Sequence, residues 1–434
     1  MTMQRRYLPR IIITLIMCSI ASCSTTTTPQ TSDNLAAPIS DPTYIPRESY
    51  QIALQHLQAR LRNAPAPDPF ILKSSTFDFG WCQPRPGRNT TLKDLTTRLE
   101  HESALARDLA QLHGATGSED AFNKSLTFLY RWATEGTLFN AYELGMNASS
   151  ASFPGMEKGY CNRSWNMMLD SIWQTYGLIN FSEAYSILNA SELSADHKKE
   201  LDTVRTWLKT RLVPAVNAGF HAWTRFADAN PKSRAYKRYR SDNHLSWSLA
   251  GLATAGYALQ DKALLDYVYY GTAYDDGTSG PYENPSSLTK LIPFAIKANG
   301  EIFDEAERST QHKGFFYGNF SLWALVITAI NTEQASYPPV WETQFSPESG
   351  TIAMALDRYA PFVSGELALT DHEEVTKPEF FSFIYRLVVH RDWVQNARIS
   401  LYKKAANAAE SQSIRQGLGS IDLITVKPEN PKQN

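Results

Sequence analysis

The sequence predicts an all-α chain built from antiparallel helical hairpins. Three observations carry that expectation. Apolar residues recur at helical spacing in many separate segments. Segments that alternate apolar and polar residues, as a half-buried strand would, are scarce. Gly-Pro and Asn-Pro breaks stand in the connecting stretches, at Asn230-Pro231, Gly280-Pro281 and Asn284-Pro285. Helices of about 12 to 20 residues joined by turns pack as antiparallel pairs, and such pairs assemble into a bundle, a solenoid or an α/α toroid. No repeat of fixed period is present, which counts against a regular solenoid.

The first 22 residues stand apart from this pattern. Arg5, Arg6 and Arg10 form a basic start, and Ile11 to Ile20 is an apolar stretch too short to span a bilayer as a mature helix. Ile20-Ala21-Ser22-Cys23 resembles the bacterial lipobox, in which cleavage leaves a diacylated cysteine at the new N-terminus. Ser24 resembles the signal for outer-membrane sorting. A lipoprotein signal peptide is therefore expected over residues 1–22, with the mature protein in the periplasm, held to the outer membrane through lipid on Cys23. Residues 23–46 are polar, Pro-containing and aperiodic, and read as a tether. A single domain is expected over residues 47–434, because no second linker rich in Pro, Gly or Ser interrupts it.

Within that domain the first helix is expected from Arg47 to Asn63, with Ile52, Leu54, Leu57 and Leu61 on one face. Leu126, Leu129, Tyr130, Ala133 and Leu138 mark a helix over roughly 119–143, and another candidate runs 162–180. Leu201, Val204, Trp207, Leu208 and Leu212 share a face further on, with Asp196 and Lys198 at the start. Segments 243–258, 261–271, 286–298, 315–330 and 377–390 complete the series. The aromatic content (10 Trp, 21 Tyr, 20 Phe) suits a core, and sugar-binding clefts use the same residues.

Losing residues 1–22 removes three arginines and no acids, which takes the formal charge from −2 to −5. A net-negative chain that binds a polyanion must gather its cations locally, and Lys232, Arg234, Lys237, Arg238 and Arg240 do so. Export and acidic overall charge argue against nucleic acid as the partner. Cys18 leaves with the signal and Cys23 is lipidated; Cys82 and Cys161 remain in an oxidising space, as a disulfide or as two buried thiols. There is no Cys-x-x-Cys and no His-Glu-x-x-His, so neither a metal nor a cofactor is expected. A monomer is expected.

The basic run leads directly into Ser241-Asp242-Asn243-His244-Leu245-Ser246-Trp247. An amide, an imidazole and an indole within five residues suit a site for an acidic sugar. The indole can stack on a ring, the cations can hold carboxylates and the imidazole can move a proton. The same stretch also reads as a helix start, with Asp242 as N-cap, Trp247 as a core anchor and His244 as a surface histidine.

This segment, with Ala250 and Ala253-Thr254-Ala255 after it, resembles the Asn-Asn-His-x-x-Trp helix of the alginate lyase superfamily, nearest to the periplasmic poly(mannuronate) lyases of polysaccharide lyase family 5. Further segments resemble that family in the same order. Tyr317-Gly318-Asn319-Phe320-Ser321-Leu322 is similar to its Tyr-His-x-Tyr/Phe-Ala-Leu segment, which carries a catalytic tyrosine. Gly300-x-Ile302-x-x-Glu305-x-x-Arg308 is similar to its Gly-x-Leu-Pro-x-Glu-Leu-x-Arg, whose arginine sits at the reacting carboxylate. Trp132-Ala133-x-x-Gly136-x-Leu138 and Arg163-Ser164-Trp165 resemble two upstream helix motifs. The likeness touches residues from about 120 to 390. It implies an incomplete (α/α) toroid and a lyase acting on an acidic polysaccharide. Asp242 departs from the pattern, since an amide stands there in the family. Two extra residues lie between Arg308 and Tyr317, and about 20 lie around Tyr270 to Thr289. The family's N-terminal lysine has no match near Phe77 to Leu92, where Lys73, Arg85 and Arg88 are the stand-ins.

β-Elimination from a uronate removes the C5 proton beside a carboxylate and expels the 4-O-linked sugar. The carboxylate must be neutralised, a base must take the proton and an acid must protonate the leaving oxygen. The resemblance implies that Asn243 and Arg308 neutralise, and that His244 and Tyr317 act as base and acid. A guanidinium beside a phenol favours phenolate, which lets a tyrosine serve in both directions. Arg163, Trp165, Trp247, Arg240 and Lys313 are candidate substrate contacts. Two other readings compete. One is a catalytically degenerate polysaccharide-binding lipoprotein acting in export or modification, favoured by Asp242 and the missing lysine. The other is a glycoside hydrolase, for which Asp242, Asp275, Asp276 and Glu283 offer carboxylates but no distinct pair.

Overall fold

The computed structural model of the protein describes residues 47–66, 90–136, 138, 165–229, 241–277, 280–309, 312–369 and 377–408. Among these residues helices and turns account for the fold. Pairing of extended chain is limited to isolated bridges, such as Tyr274 with Tyr282 and Ile296 with Ile302. The helices are α1 (Arg47–Arg62), α2 (Thr90–Thr116), α3 (Glu119–Glu135), α4 (Trp165–Asn189), α5 (Lys198–Trp207), α6 (Val213–Ala229), α7 (Asn243–Leu259), α8 (Lys262–Tyr269), α9 (Leu288–Ala295), α10 (Phe303–Arg308), α11 (Gly314–Gln334), α12 (Ile352–Val363), α13 (Ser382–Val388) and α14 (Ala397–Ala406). Among the described residues no helix is long and apolar enough to cross a membrane.

Local chemistry sets the ends. Ser118 caps α3 by accepting from the Ala121 N–H, and Glu119 and Asp120 sit in its first turn, where negative charge is favoured. That helix was expected to run to about residue 143. Its described part stops at Glu135, where the Gly136 N–H closes onto the Trp132 carbonyl. Between α5 and α6 the backbone opens into a π-turn, Leu208–Leu212, in which the Val213 N–H reaches back to the Leu208 carbonyl. Asp242 begins α7, and Gln260 ends it in the left-handed conformation with φ of 54°.

Helices α2, α4, α7 and α11 pack side by side in that order, although other helices separate them in sequence. Helix α3 packs against α2 and α5, α6 against α4 and α7, and α8 against α7. This is the hairpin arrangement the sequence predicts. Two of the inner helices are nearly enclosed. Every residue of α7 is buried except His244, Tyr257 and Ala258. In α11 the first three turns are buried except at Phe316 and Tyr317.

The segment between α8 and α9 spans residues 270–287. It is anchored rather than loose. Asn217 of α6 donates to Asp276 at 2.8 Å, and the His221 ring stacks on Tyr282 with centroids 3.4 Å apart.

Candidate active site

Three segments meet where the buried faces of α7 and α11 open: the first turn of α7, the short α10 and the first turn of α11. Asp242 adopts extended backbone and caps α7, its Oδ1 accepting from the His244 N–H at 3.1 Å. Its Oδ2 lies 3.3 Å from His244 Nδ1. Asn243, the first helical residue, is buried and donates through Nδ2 to Asp304 Oδ2 of α10 at 3.3 Å. Ser321 of α11 donates to the same oxygen at 2.6 Å. One carboxylate oxygen therefore links all three segments.

Asp304 is fully buried. Burial, and then the charge of Asp242, push its carboxyl up to about 7, against the opposing pull of Ser321, His244 and Asn243. One turn further along α10, the Arg308 guanidinium lies over the Tyr317 ring, 4.7 Å from its centroid. Asp304 and Arg308 are four apart on α10, and Ser321 and Tyr317 are four apart on α11. The two helices are thus joined by two rungs, one hydrogen-bonded and one cation-on-ring. Phe316 and Phe320 pack around Tyr317. His244, Arg308 and Tyr317 are each partly exposed, while Asn243 and Asp304 lie behind them.

α10 is only six residues long and has no side-chain cap, so its position depends on neighbours. Glu305 accepts two bonds from the Arg358 guanidinium of α12, at 3.0 and 3.1 Å, and one from the Tyr359 hydroxyl at 2.6 Å. The same hydroxyl accepts from the Ile302 N–H at 3.1 Å. Gly318, beside Tyr317, lets α11 come close: a Cβ there would stand 2.7 Å from the Tyr359 oxygen.

The structure therefore brings Asn243, His244, Arg308 and Tyr317 into one neighbourhood. It corrects the reading of Trp247 as a sugar platform. That indole is 0% exposed, with Tyr176, Phe320 and Trp323 against it at ring-centroid distances of 4.9 to 5.2 Å. It is a core anchor, as the helix-start reading has it. Lys313 is exposed at the N-cap of α11, one turn before Tyr317. Trp165 opens α4, and its side chain lies outside the described residues. Arg163, Arg240, Cys23, Cys82 and Cys161 lie outside them as well. Asp304 was not singled out from the sequence, where it reads as one more acid in a first helical turn. Among the described residues no group of three His, Cys, Asp or Glu side chains is placed to hold a metal ion.

Residues 80–369 match the sequence profile of the family described as alginate lyase. The chain belongs to the alginate lyase family. Asn243, His244, Asp304, Arg308 and Tyr317 all fall inside the matched span. As a member of the alginate lyase family the chain is a polysaccharide lyase on an incomplete α/α toroid. An alginate lyase from Bacteroides ovatus is similar in fold, with 14% identity, a TM-score of 0.51, and 87% of this chain and 93% of that one covered. Alginate lyase A1-III from Sphingomonas species A1 is similar at 14% identity and a TM-score of 0.48, with 90% and 98% covered. A variant of that enzyme complexed with tetrasaccharide is similar at 15% identity and a TM-score of 0.47, with 91% and 98% covered. No curated protein matches the chain by sequence.

Proposed function

We propose that the protein cleaves a uronate-containing polysaccharide, of the alginate or polymannuronate kind, by β-elimination. Asn243 and Arg308 neutralise the uronate carboxylate, which makes the neighbouring C5–H acidic enough to lose. Arg308 offers a two-pronged contact, and Asn243 an amide donor that adds no charge. His244 and Tyr317 take the C5 proton and deliver a proton to the departing 4-oxygen as the C4–O bond breaks. The new C4=C5 bond stays on the fragment that carried the uronate. In mannuronate the proton and the leaving oxygen lie on one face, so Tyr317 can serve both with His244 assisting. In the same proposal the mature protein is a monomeric lipoprotein in the periplasm, anchored to the outer membrane through Cys23.

The observation that carries this reading is the pair of rungs between α10 and α11 together with the Asn243 bridge. They gather the Asn243-His244 motif and, about sixty residues on, the neighbouring Arg308 and Tyr317 motifs along one partly open edge. The test is a panel of uronate polymers given to the purified mature protein. Ultraviolet absorbance from the new double bond is expected, together with unsaturated product ends. Tyr317→Phe is expected to lower turnover by roughly 10²-fold or more with polymer binding nearly intact. A folded protein that binds but never raises absorbance would favour the degenerate binding module, and reducing ends without absorbance would favour hydrolysis.

A further inference from the structure

Asp242 stands where the resemblance leads one to expect an amide, and both of its carboxylate oxygens are turned onto one residue. Oδ1 takes the His244 backbone N–H at 3.1 Å and Oδ2 faces the His244 ring nitrogen Nδ1 at 3.3 Å. An ionised carboxylate only accepts, so the ring nitrogen facing it carries the hydrogen, and the lone pair of the neutral imidazole is on Nε2. An amide at position 242 that caps through its one oxygen turns its NH2 toward the ring, which favours the opposite tautomer with the lone pair on Nδ1.

We infer that Asp242 is a positioning residue that fixes the tautomer and ring orientation of His244 and so presents Nε2 as its proton acceptor. The inference rests on the proposed role of His244 in proton transfer. Asp242 is 1% exposed and its carboxylate meets a ring that keeps a partly open edge, with side-chain exposures of 2% and 12%. A second carboxylate, that of Asp304, stands behind the pair. Asp304 is buried and held by Ser321 and Asn243. Its carboxyl is raised by burial and then by the charge of Asp242. The charged and titratable groups recorded around the pair are Asp304 of α10, which interacts with both Asp242 and His244, Arg308 on the same helix, and Tyr317 of α11 beneath that guanidinium.

Asp242→Asn is the informative substitution, because asparagine caps a helix as well as aspartate. A merely capping Asp242 predicts an unchanged enzyme. A tautomer-fixing Asp242 predicts a kcat lower by roughly tenfold or more, a nearly unchanged KM, and a shifted pH profile at unchanged melting temperature. Nitrogen-15 NMR of the His244 ring supplies a readout that needs no substrate. The full-length folded protein should show the hydrogen on Nδ1, and Asp242→Asn should show a mixture or the opposite tautomer. An Nε2–H tautomer in the unaltered protein, or superimposable pH profiles with equal kcat, would overturn the inference. A change confined to KM would also overturn it, since that is charge repulsion of the polymer. An unaltered protein that is inactive on every polymer but shows the Nδ1–H ring would sink the proposed reaction and leave the dyad standing.

Discussion

Asp304 sets how much negative charge stands behind the site at a given pH. Its folded-state carboxyl is raised from the ordinary 3.8 to about 7, chiefly by burial and then by Asp242. The folded protein therefore holds this proton more tightly than the unfolded chain does. The resulting stability is fully present below the unfolded value and is lost as pH rises through about 7. The unaltered protein should lose stability relative to Asp304→Asn as pH is raised across that window. Melting temperatures of the two, measured in parallel from pH 4 to pH 8, check it; a difference that is flat or of opposite slope would contradict it. At this scale the sequence was informative where motifs kept their order, as at Asn243, His244, Arg308 and Tyr317. It was silent on Asp304, because an acid in a first helical turn ordinarily serves the helix dipole and nothing local marks it as buried. It misled at Trp247, because an indole that stacks on sugar and one that packs in a core have the same spacing.

Helix α11 owes its close approach to α10 and α12 to the absence of a single Cβ. In an open helix Gly→Ala gains roughly 1 kcal/mol. At Gly318 the added carbon would meet the Tyr359 hydroxyl at 2.7 Å, and that hydroxyl is buried and engaged with both Glu305 and Ile302. Gly318→Ala is therefore expected to destabilise by about 1 to 3 kcal/mol. It should also lower turnover, because Tyr317 is the adjacent residue. Denaturant titration decides the sign, and a gain in stability would show that α11 has room to spare. Elements with clear caps or stripes were legible: α1 and α7 end within a residue of where the pattern places them. Helix α2 was not, and the reason is physical. Residues 103–113 within it are buried without a break and include Arg107, Asp108, Gln111 and His113, so polar side chains on buried faces blur the apolar stripe of Leu105, Leu109 and Leu112. Helices α6, α12 and α14 also escaped the periodic reading.

The main apolar core runs from Leu99 to Ala406, beyond the residue at which the family match ends, with a smaller cluster of Ala53, Leu57, Leu112 and Ala121 under α1. The last helices belong to it: the Tyr385 hydroxyl donates to the Leu356 carbonyl, and Arg386 Nε donates to the Ala406 carbonyl at 2.7 Å. Phe381 is fully buried against Phe315 and Phe316, next to Tyr317. Phe381→Ala should cost about 3 to 5 kcal/mol. It should also depress activity below the melting transition, which calorimetry and rate measurements on one preparation would establish. Full stability in that variant would mean the tail is dispensable. The π-turn Leu208–Leu212 has a consequence for chain length. Helix runs continuously through it with one residue more than an α-turn holds, so the turn absorbs that residue and the helix after it keeps its facing. Loss of Thr210 should close the π-turn to an ordinary α-turn and leave Asn217 on Asp276 and His221 on Tyr282. Chain length is thus held in reserve inside a helix, where a residue can be dropped without moving the elements on either side.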